Sequence, residues 1–308
     1  MDKHFKNIRS LREAGRDGKE TTLSWLRLRC RALLCPHLLL FLVFSAAFAG
    51  DSFGQWTMGS RSIAMGEAHT ALTGDEWAVF HNPAMINSKE RAFGVFAIRY
   101  FGLSEIQDQA AFITIPAGSL FSSQKFQNAI SAGIHTYGFE LYRETNLRLG
   151  WAVRRQRIQL GAVINYTHLR IEGYGSGGSP LIDAGLAVRA TGQITAGVRV
   201  TNLMLTQSGN TQSGVYPAEI AGGLSWDTAH RLVLSADLVK DVLFPISLRT
   251  GFEAEPMDGF FLRGGWISSP FTWTAGTGLV LSRFRVSMAV QHHHVLGMSP
   301  GIDLLVTI

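Results

Sequence analysis

The chain has 308 residues, 46% hydrophobic and 17% charged, with a formal net charge of +5. Residues 1–49 hold nine Lys or Arg and four Asp or Glu, which leaves 19 basic and 19 acidic residues of the chain's 28 and 23. The neutral remainder gives no argument for nucleic-acid binding. Both cysteines, Cys30 and Cys35, precede residue 50, which excludes a disulfide framework, a thiol catalyst or a cysteine zinc site from the remainder.

Residues 1–49 predict an N-terminal extension followed by a cleaved secretory signal peptide. Three arginines between positions 27 and 31 precede an apolar run at 32–48, and the run ends in the small-x-small site Ala47-Phe48-Ala49. This is the three-part layout of a signal peptide, with cleavage expected after Ala49. The alternative is an uncleaved membrane anchor, because the run is about as long as the shortest spanning helices (~17 residues).

Residues 50–90 predict a separate N-terminal segment before the first strand. The stretch from Gly59 to Ala84 is rich in small residues, weakly periodic, and ends in Asn82-Pro83-Ala84. A proline pushes the preceding residue to extended geometry and Asn supplies turn hydrogen bonds, so this motif ends the stretch. Two interpretations stay open: a leader packed on the surface of a β domain, and a plug that inserts into the mouth of a barrel.

Residues 91–308 predict an all-β fold, a single 14-stranded antiparallel transmembrane β-barrel. Apolar and polar residues alternate, with turn residues between the runs, and helical periodicity is nearly absent. Most runs have about ten residues, which suits a strand tilted across a bilayer, whereas soluble sandwiches more often use strands of about five or six. The predicted strands are 92–101, 108–117, 128–138, 143–155, 157–171, 180–190, 192–202, 217–227, 230–240, 245–254, 259–268, 272–281, 283–293 and 299–308.

The connections between these runs alternate in length. Every second connection is mostly very short, such as Thr191 and Ser282, and the others are mostly longer, with 172–179 as one example and 203–216 as the longest. Short turns on one rim and longer loops on the other are typical of an outer-membrane barrel. The link 118–127 is the exception, since it is long on the short-turn side.

Charged residues fall on one face of the predicted strands, and the other face is almost without charge. A charge facing lipid costs about 2–4 kcal/mol for Arg or Lys at the midplane, so the charged face is expected to line the lumen. Two roles stay open: a selectivity lining for anionic head groups, and structural ion pairs across strands, which we favour. The predicted lumen residues are Arg148, Arg154, Arg189, Arg199, Asp237, Arg249, Glu253, Arg263, Arg285 and Asp303.

Six aromatic residues lie mostly towards the strand ends. They predict interfacial girdles, with the core of a soluble β protein as the alternative. They are Tyr100, Trp151, Tyr166, Trp226, Trp266 and Trp273.

The residues give no strong sign of catalysis, of a metal or of a cofactor. His292-His293-His294 is the one chemical cluster, but no carboxylate lies nearby in sequence, so we interpret it as part of a barrel rim. Ser287 and His293 share a face but stand about 20 Å apart along one strand, too far to form a nucleophile–base pair. We therefore expect a protein that is not an enzyme.

The N-terminal stretch resembles the corresponding segment of the PorV/PorQ family, within the broader FadL-like group of outer-membrane barrels. The resemblance implies a segment that plugs or lines the periplasmic end of the lumen, a barrel of fourteen strands, and the outer membrane of a Gram-negative-type bacterium. It departs from the family pattern at His81, at Met85-Ile86, and at Ile308, where a terminal aromatic usually serves barrel assembly. The matching residues are Gly59, Arg61, Met65, Gly66, Ala68, Ala71, Asp75, Ala78, Asn82, Pro83 and Ala84.

Two functions follow as hypotheses. The first is a FadL-like passive channel or binding barrel for small hydrophobic or amphipathic solutes. The second is a PorV/PorQ-like barrel that moves no solute and docks secreted proteins or secretion-system components. The expected partners are outer-membrane lipid and the barrel assembly machinery, and no nucleic acid.

Overall fold

The computed structural model describes residues 57–87, 89–117, 126–203, 218–228, 230–241 and 244–308. The predicted extension and signal peptide at 1–49 lie outside the described residues, as do most of the predicted links 118–127 and 203–216.

The described residues form one closed antiparallel barrel of fourteen strands, in which each strand pairs with its neighbours in sequence and β1 pairs with β14. The prediction of a 14-stranded barrel is therefore confirmed. Closure leaves no strand edge unpaired. The strands are β1 (Ala92–Arg99), β2 (Gln107–Pro116), β3 (Gln127–Gly138), β4 (Tyr142–Arg155), β5 (Ile158–Ile171), β6 (Gly175–Arg189), β7 (Ile194–Thr201), β8 (Glu219–Thr228), β9 (Leu232–Asp241), β10 (Ser247–Met257), β11 (Phe260–Ser268), β12 (Phe271–Leu281), β13 (Phe284–His293) and β14 (Gly297–Thr307).

Each strand turns one face to the lumen and the other outward, because successive side chains of a strand point to opposite faces. In β1 the pattern is strict: Phe96 and Ile98 are buried, and Phe93 and Val95 are exposed. The exposed face is apolar around the whole barrel, with outward leucines such as Leu149 at 59% exposure. The core of the protein is therefore inside the barrel, and its outer surface is hydrophobic.

The predicted loop at 172–179 is wrong. The chain turns at Glu172–Tyr174, and β6 begins at Gly175, which pairs with Ile171 of β5. The glycines and serines of this stretch belong to a strand, because backbone ladder bonds do not require large side chains. Their lack of apolar alternation hides the strand from the sequence pattern.

The prediction for Tyr100 is also wrong. β1 ends at Arg99 and not at residue 101, because Phe101 has a φ of +55° and bends the chain into a short 3-10 turn, Tyr100–Gly102. The Tyr100 hydroxyl donates a hydrogen bond to Asp108 of β2 at 2.9 Å, so its side chain lies at the mouth of the lumen and not in an outer girdle. We call this end of the barrel the loop end and the opposite end, where the chain enters β1, the turn end.

The remaining aromatic residues of the predicted girdles are on the outer face. Trp151, Tyr166, Trp226 and Trp273 are all exposed, at 39–48%. Trp266 stands opposite Trp273 in the β11–β12 pair and shares its outward face.

Residues 57–86, which we call the lumen segment, lie inside the barrel and are buried along nearly their whole length. The segment has one short helix, α1 (Ser60–Ala64), against β11–β14 and one 3-10 turn, Pro83–Met85, against β4–β6. Within the described ranges, no helix is long and apolar enough to cross a bilayer.

Candidate functional site

The candidate site is the lumen, and its geometry begins with glycines on the inner wall. At nine of these positions a side chain would collide with neighbouring backbone or side-chain atoms, and in each case the lumen segment is part of the obstacle. A Cβ at Gly251 would lie 2.2 Å from the Met65 carbonyl oxygen, and one at Gly265 would lie 2.3 Å from the Gly66 nitrogen. The two wall glycines face each other across β10 and β11. The set is Gly133, Gly150, Gly161, Gly185, Gly197, Gly223, Gly251, Gly265 and Gly276.

Arg61 anchors the segment to the wall by a bidentate ion pair with Glu253. The Arg61 Nε and Nη2 donate to the carboxylate at 2.9 and 2.7 Å, and the Nε of Arg263 donates to the same carboxylate at 2.6 Å. Arg61 also donates through Nη1 to the carbonyl oxygens of Thr73 and Gly74. Removing one member of a buried charge cluster costs about 3–5 kcal/mol, because it leaves the other charges uncompensated. This cluster therefore fixes the position of α1.

Other wall groups accept backbone N–H groups of the segment. Asp303 accepts from the Ser60 nitrogen at 2.6 Å, and Asp237 accepts from the Thr70 nitrogen at 2.8 Å. Charge-assisted hydrogen bonds of this kind are about twice as strong as neutral ones. Two of the ten predicted lumen residues thus serve a segment that has little regular secondary structure of its own.

Four of the six remaining predicted lumen arginines pair with a carboxylate of the wall or of the segment. Each of the four lies on the inner face. The distances between the charged groups are 3.2 Å for Arg148, 2.5 Å for Arg199 and 3.1 Å for Arg249. The pairs are Arg148 with Asp183, Arg199 with Glu219, Arg249 with Glu67 of the segment, and Arg285 with Glu76 of the segment. Arg148 also donates to the carbonyl oxygens of Val79 and Phe80.

Arg154 and Arg189 differ from the other eight. Both lie near the turn end and are half-exposed, and their side chains repel each other. Neither is in an ion pair within the described part of the chain. They border the lumen at its rim and do not hold the segment.

The motif Asn82-Pro83-Ala84 is seated against β5 and β6. The Asn82 side chain accepts from the Ala84 nitrogen at 3.0 Å and donates to the Thr70 carbonyl at 2.6 Å, which ties the two halves of the segment together. A Cβ at Gly161 would lie 2.2 Å from the Pro83 carbonyl carbon, and one at Gly185 would lie 1.8 Å from Asn82 Oδ1. The motif is a docking element as well as a stop.

A histidine pair lies at the centre of the segment. The Nδ1 of His81 bonds Asp75 at 2.6 Å, and its Nε2 accepts from the Met58 nitrogen at 3.3 Å, which assigns the ring proton to Nδ1. His69 stacks on His81 with ring centroids 3.9 Å apart. Burial lowers the pKa of His69 well below its usual range, and His81, Arg199 and Arg249 lower it further.

One side of the lumen is apolar. The buried residues Phe96 of β1 and Phe112 of β2 surround Trp77 of the segment, with centroids 5.7 and 4.7 Å from the indole. Ile98 of β1 and Leu305 of β14 continue this surface. The charged wall residues described above lie on β4, β6–β11, β13 and β14, so the apolar side is the sector around β1 and β2, with Asp303 of β14 opposite Phe96 at its border.

At the loop end the apolar side is covered by a polar cluster. Asp108 of β2 is buried and bonds both His135 of β3 and the Tyr100 hydroxyl. The Phe101 nitrogen donates to the Ser299 hydroxyl of β14 at 3.1 Å, so the Tyr100–Gly102 turn is tied to the neighbouring strand.

The His292–His294 run belongs to the rim, but its members do not converge. His292 stacks on the outward Trp273 at 4.9 Å, and His293 stacks on His294 at 4.9 Å. Among the described residues, no three His, Cys, Asp or Glu side chains come together as a metal site.

Sequence reasoning found the charged wall residues and missed their partners. Glu67, Glu76 and Thr70 lie within the recognised stretch but showed no pattern. The wall glycines did carry a signal. Gly197 and Gly251 occupy the same face of their strands as Arg199 and Arg249, and large side chains would be expected at these positions if wall side chains alone filled the lumen.

Comparison with known proteins gives fold similarity only. No protein-family profile matches the chain, and no curated protein matches it. The solved Pseudomonas putida toluene transporter TodX is similar with a TM-score of 0.56 and 13% identity over 84% of this chain and 99% of that one. A Pseudomonas aeruginosa FadL homologue gives 0.55 and 12% over 82% and 98%, and the CymD monoaromatic hydrocarbon channel gives 0.59 and 11% over 83% and 98%. The chain therefore has the fold of these FadL-like channels.

We predict that Gly265→Val loosens the lumen segment while the barrel still assembles. The new side chain needs the space of the Gly66 nitrogen, which real Cβ atoms do not approach at 2.3 Å. The expected result is faster proteolysis within 57–86 with the barrel's heat-modifiable mobility retained. Gly222→Val is the matched control, because Gly222 is in β8 and a Cβ there meets nothing within 4 Å. Equal protease sensitivity in the two variants would contradict the wall contact.

We predict that the segment loosens as the pH falls below about 6.5, the ordinary pKa of a histidine. Burial lowers the pKa of His69, so the ring stays neutral while the segment is docked. Below the ordinary pKa, the released segment binds a proton that the docked segment does not, so release becomes more favourable as the pH falls. The proteolysis rate measured from pH 7.5 to about 5 should rise in the wild type. His69→Phe keeps a ring on His81 and should flatten the profile; an unchanged profile would assign the effect to another group.

Proposed function

We propose that the chain is an outer-membrane barrel of a Gram-negative-type bacterium and a passive channel for small hydrophobic solutes. The observation that carries this proposal is the apolar, aromatic side of the lumen between β1, β2 and β14. A wall of this kind favours solutes that gain from leaving water, at roughly 25 cal/mol per Å² of buried apolar surface. The fold shared with a toluene transporter and a monoaromatic hydrocarbon channel supports it.

The outer face supports the membrane location. Large apolar residues project outward from every strand region described, and a soluble monomer rarely exposes an apolar surface of this extent. In a bilayer the same surface is covered by lipid, and the outward aromatic residues lie near the strand ends. Membrane lipid and the barrel assembly machinery are the partners that this location implies.

Passage of a solute requires the lumen segment to shift. The segment is buried in the lumen along nearly its whole length, and it is held there by hydrogen bonds, ion pairs and packing. Its aromatic contacts with the apolar side are made by Trp77, whose ring lies against Phe96 and Phe112. Movement on that side would open a route along the wall without disturbing the strand ladder.

A second candidate function is a PorV/PorQ-like barrel that docks secreted proteins or secretion-system components. The observation that favours it is the depth of the segment's burial, since Ala64, Met65, Ala68 and Ala71 are all fully buried. A lumen closed permanently in this way would leave the rims as the functional surfaces.

A disulfide lock separates the two functions. In Val79→Cys/Gly150→Cys, a sulfur at the position of Val79 Cγ2 would lie 3.3 Å from a Cβ at position 150. This is close to the distance between one sulfur of a disulfide and the Cβ of the partner cysteine. Cells of a host that lacks its own hydrophobic channels should take up labelled toluene with the wild type and with the reduced variant, and should lose uptake when the variant is oxidised. Uptake that is absent in the wild type and in Gly265→Val, with barrels assembled, would support the docking function instead.

Membrane embedding can be tested at two outward aliphatic residues of similar exposure. Leu149 at the middle of β4 is 59% exposed, and Ile158 at the first residue of β5 is 51% exposed. Leu149→Arg should cost about 2–4 kcal/mol of folding free energy in lipid, and Ile158→Arg about 0–1 kcal/mol, because the penalty falls towards the interface. Folding titrations in lipid vesicles measure both, and equal penalties would place β4 outside the bilayer.

A further inference from the structure

Four arginines lie together at the turn end of β4–β6, and we call them the arginine rim. Arg154 and Arg155 are the last two residues of β4, Arg157 is in the turn before β5, and Arg189 is the last residue of β6. The Arg189 nitrogen donates to the Arg157 carbonyl oxygen at 2.8 Å, which keeps the two residues side by side. Arg154 and Arg189 flank β5, and their side chains repel each other. The fold therefore concentrates positive charge in one sector of this end.

The strands of this sector supply no carboxylate to the arginine rim. Between residues 110 and 218 the chain has Glu140, Glu144, Glu172 and Asp183 as its only carboxylates. The three glutamates are at or next to the loop-end connections, and Asp183 binds Arg148. None of these carboxylates pairs with the arginine rim within the described part of the chain.

The cross-strand neighbours of the rim are neutral. Arg154 stands opposite Gln127 of β3 and Gln159 of β5, and Arg189 stands opposite Thr195 of β7. Like charges that come together on a sheet without a counter-charge are destabilising. A Glu at one of these positions would remove the repulsion, so the arrangement is not the one that stability alone selects.

Arginines in other parts of the barrel are matched by carboxylates. On the inner wall Glu253 stands directly opposite Arg263 and binds it at 2.6 Å. At the turn end itself, the exposed Arg231 pairs with Asp258 at 2.6 Å. Asp227 of β8 lies beside the β6–β7 turn and forms no ion pair with the rim among the described contacts. The missing charge is therefore a local property of one sector, and an external anion would supply it.

The position of the arginines favours a soluble partner over lipid. Arg154 and Arg189 are half-exposed on the inner face, where they border the opening of the lumen, whereas a bilayer covers the outer face. Arg155 points outward, and its guanidinium lies over the ring of Phe126 at 5.3 Å. The planar fork of a guanidinium matches a carboxylate in bidentate geometry. Carboxylates on a soluble chain can reach the inner arginines, and lipid headgroups lie on the other side of the wall.

We propose that the arginine rim docks a soluble periplasmic protein through an acidic segment of that protein. The inference goes beyond solute passage and rests on the proposed outer-membrane location, because the short turns of such barrels face the periplasm. Several carboxylates along one segment complement guanidinium groups spread over β4–β6. A protein docked here lies beside the periplasmic opening of the lumen.

A fluorescein-labelled peptide of alternating Glu and Gly is the probe. Its anisotropy with the wild-type protein in phosphatidylcholine nanodiscs should show saturable binding, and a matched peptide of alternating Gln and Gly should not bind. Arg154→Gln/Arg189→Gln should bind the acidic peptide roughly tenfold more weakly, because two guanidinium contacts are lost. Equal binding of the two peptides, or equal affinity of this variant and the wild type, overturns the proposal.

Arg231→Gln/Arg283→Gln is the matched control. It removes the same charge at the same end, from the turns before β9 and β13, and both side chains are exposed. It should bind as the wild type does, and a loss as large as that of the rim variant would assign the binding to net charge and overturn the site. Gln159→Glu places a carboxylate opposite Arg154 without removing an arginine, and it should also weaken the peptide. Heat-modifiable mobility verifies the barrel in each variant.

Lipid is the other occupant to be tested. Protein reconstituted with a mixture of phosphatidylcholine and phosphatidylglycerol and then extracted should carry the same lipid ratio in the wild type and in Arg154→Gln/Arg189→Gln. Phosphatidylglycerol that is enriched by the wild type and not by the variant would assign the rim to headgroups and overturn the protein partner.

This proposal and the channel function fail separately. Toluene uptake that responds to the disulfide lock, with no binding of the acidic peptide, keeps the channel and removes the docking site. Peptide binding that depends on Arg154 and Arg189, with no uptake, keeps the docking site and removes the channel.

Discussion

The structure depends on satisfying backbone groups inside a closed barrel. A strand ladder satisfies its own N–H and C=O groups, but the lumen segment has only one five-residue helix and must find partners on the wall. Asp303 and Asp237 supply acceptors for its N–H groups, and inward glycines let its backbone approach closely enough to use them. The charged residues of the wall are therefore needed to bind the backbone of the segment as well as to keep charge away from the outer face of the barrel.

The same requirement divides the lumen into two sides. Charges gather where the segment presents backbone and carboxylates, as at Arg61 with Glu253 and at Arg249 with Glu67. Where the segment presents Trp77, the wall residues Phe96, Phe112 and Ile98 are apolar. In the proposed channel function, a hydrophobic solute is expected to follow the aromatic side, because contact with apolar side chains is favourable for it.

Sequence reasoning recovers the barrel because the period-two alternation reports which face is outside, and because charges such as Arg199 and Asp237 are too costly on that face. It fails where side chains do not carry the information. Gly175 begins a strand without apolar alternation, and Tyr100 leaves its strand because of the backbone geometry of Phe101. The pairing of Glu76 with Arg285 joins residues distant in sequence, and no local pattern encodes it. The contacts between the lumen segment and the barrel wall are therefore the part of the structure that the sequence pattern does not predict.

The recognised N-terminal motif is explained by docking and not by transport. Gly59 accommodates an indole, Arg61 binds the wall, Gly66 has a φ of +62° against β10 and β11, and Asn82 bridges to Thr70. Each role holds a segment in a lumen, and each would serve a channel and a docking barrel equally well. Docking inside the barrel therefore accounts for these residues, and either proposed function can use it.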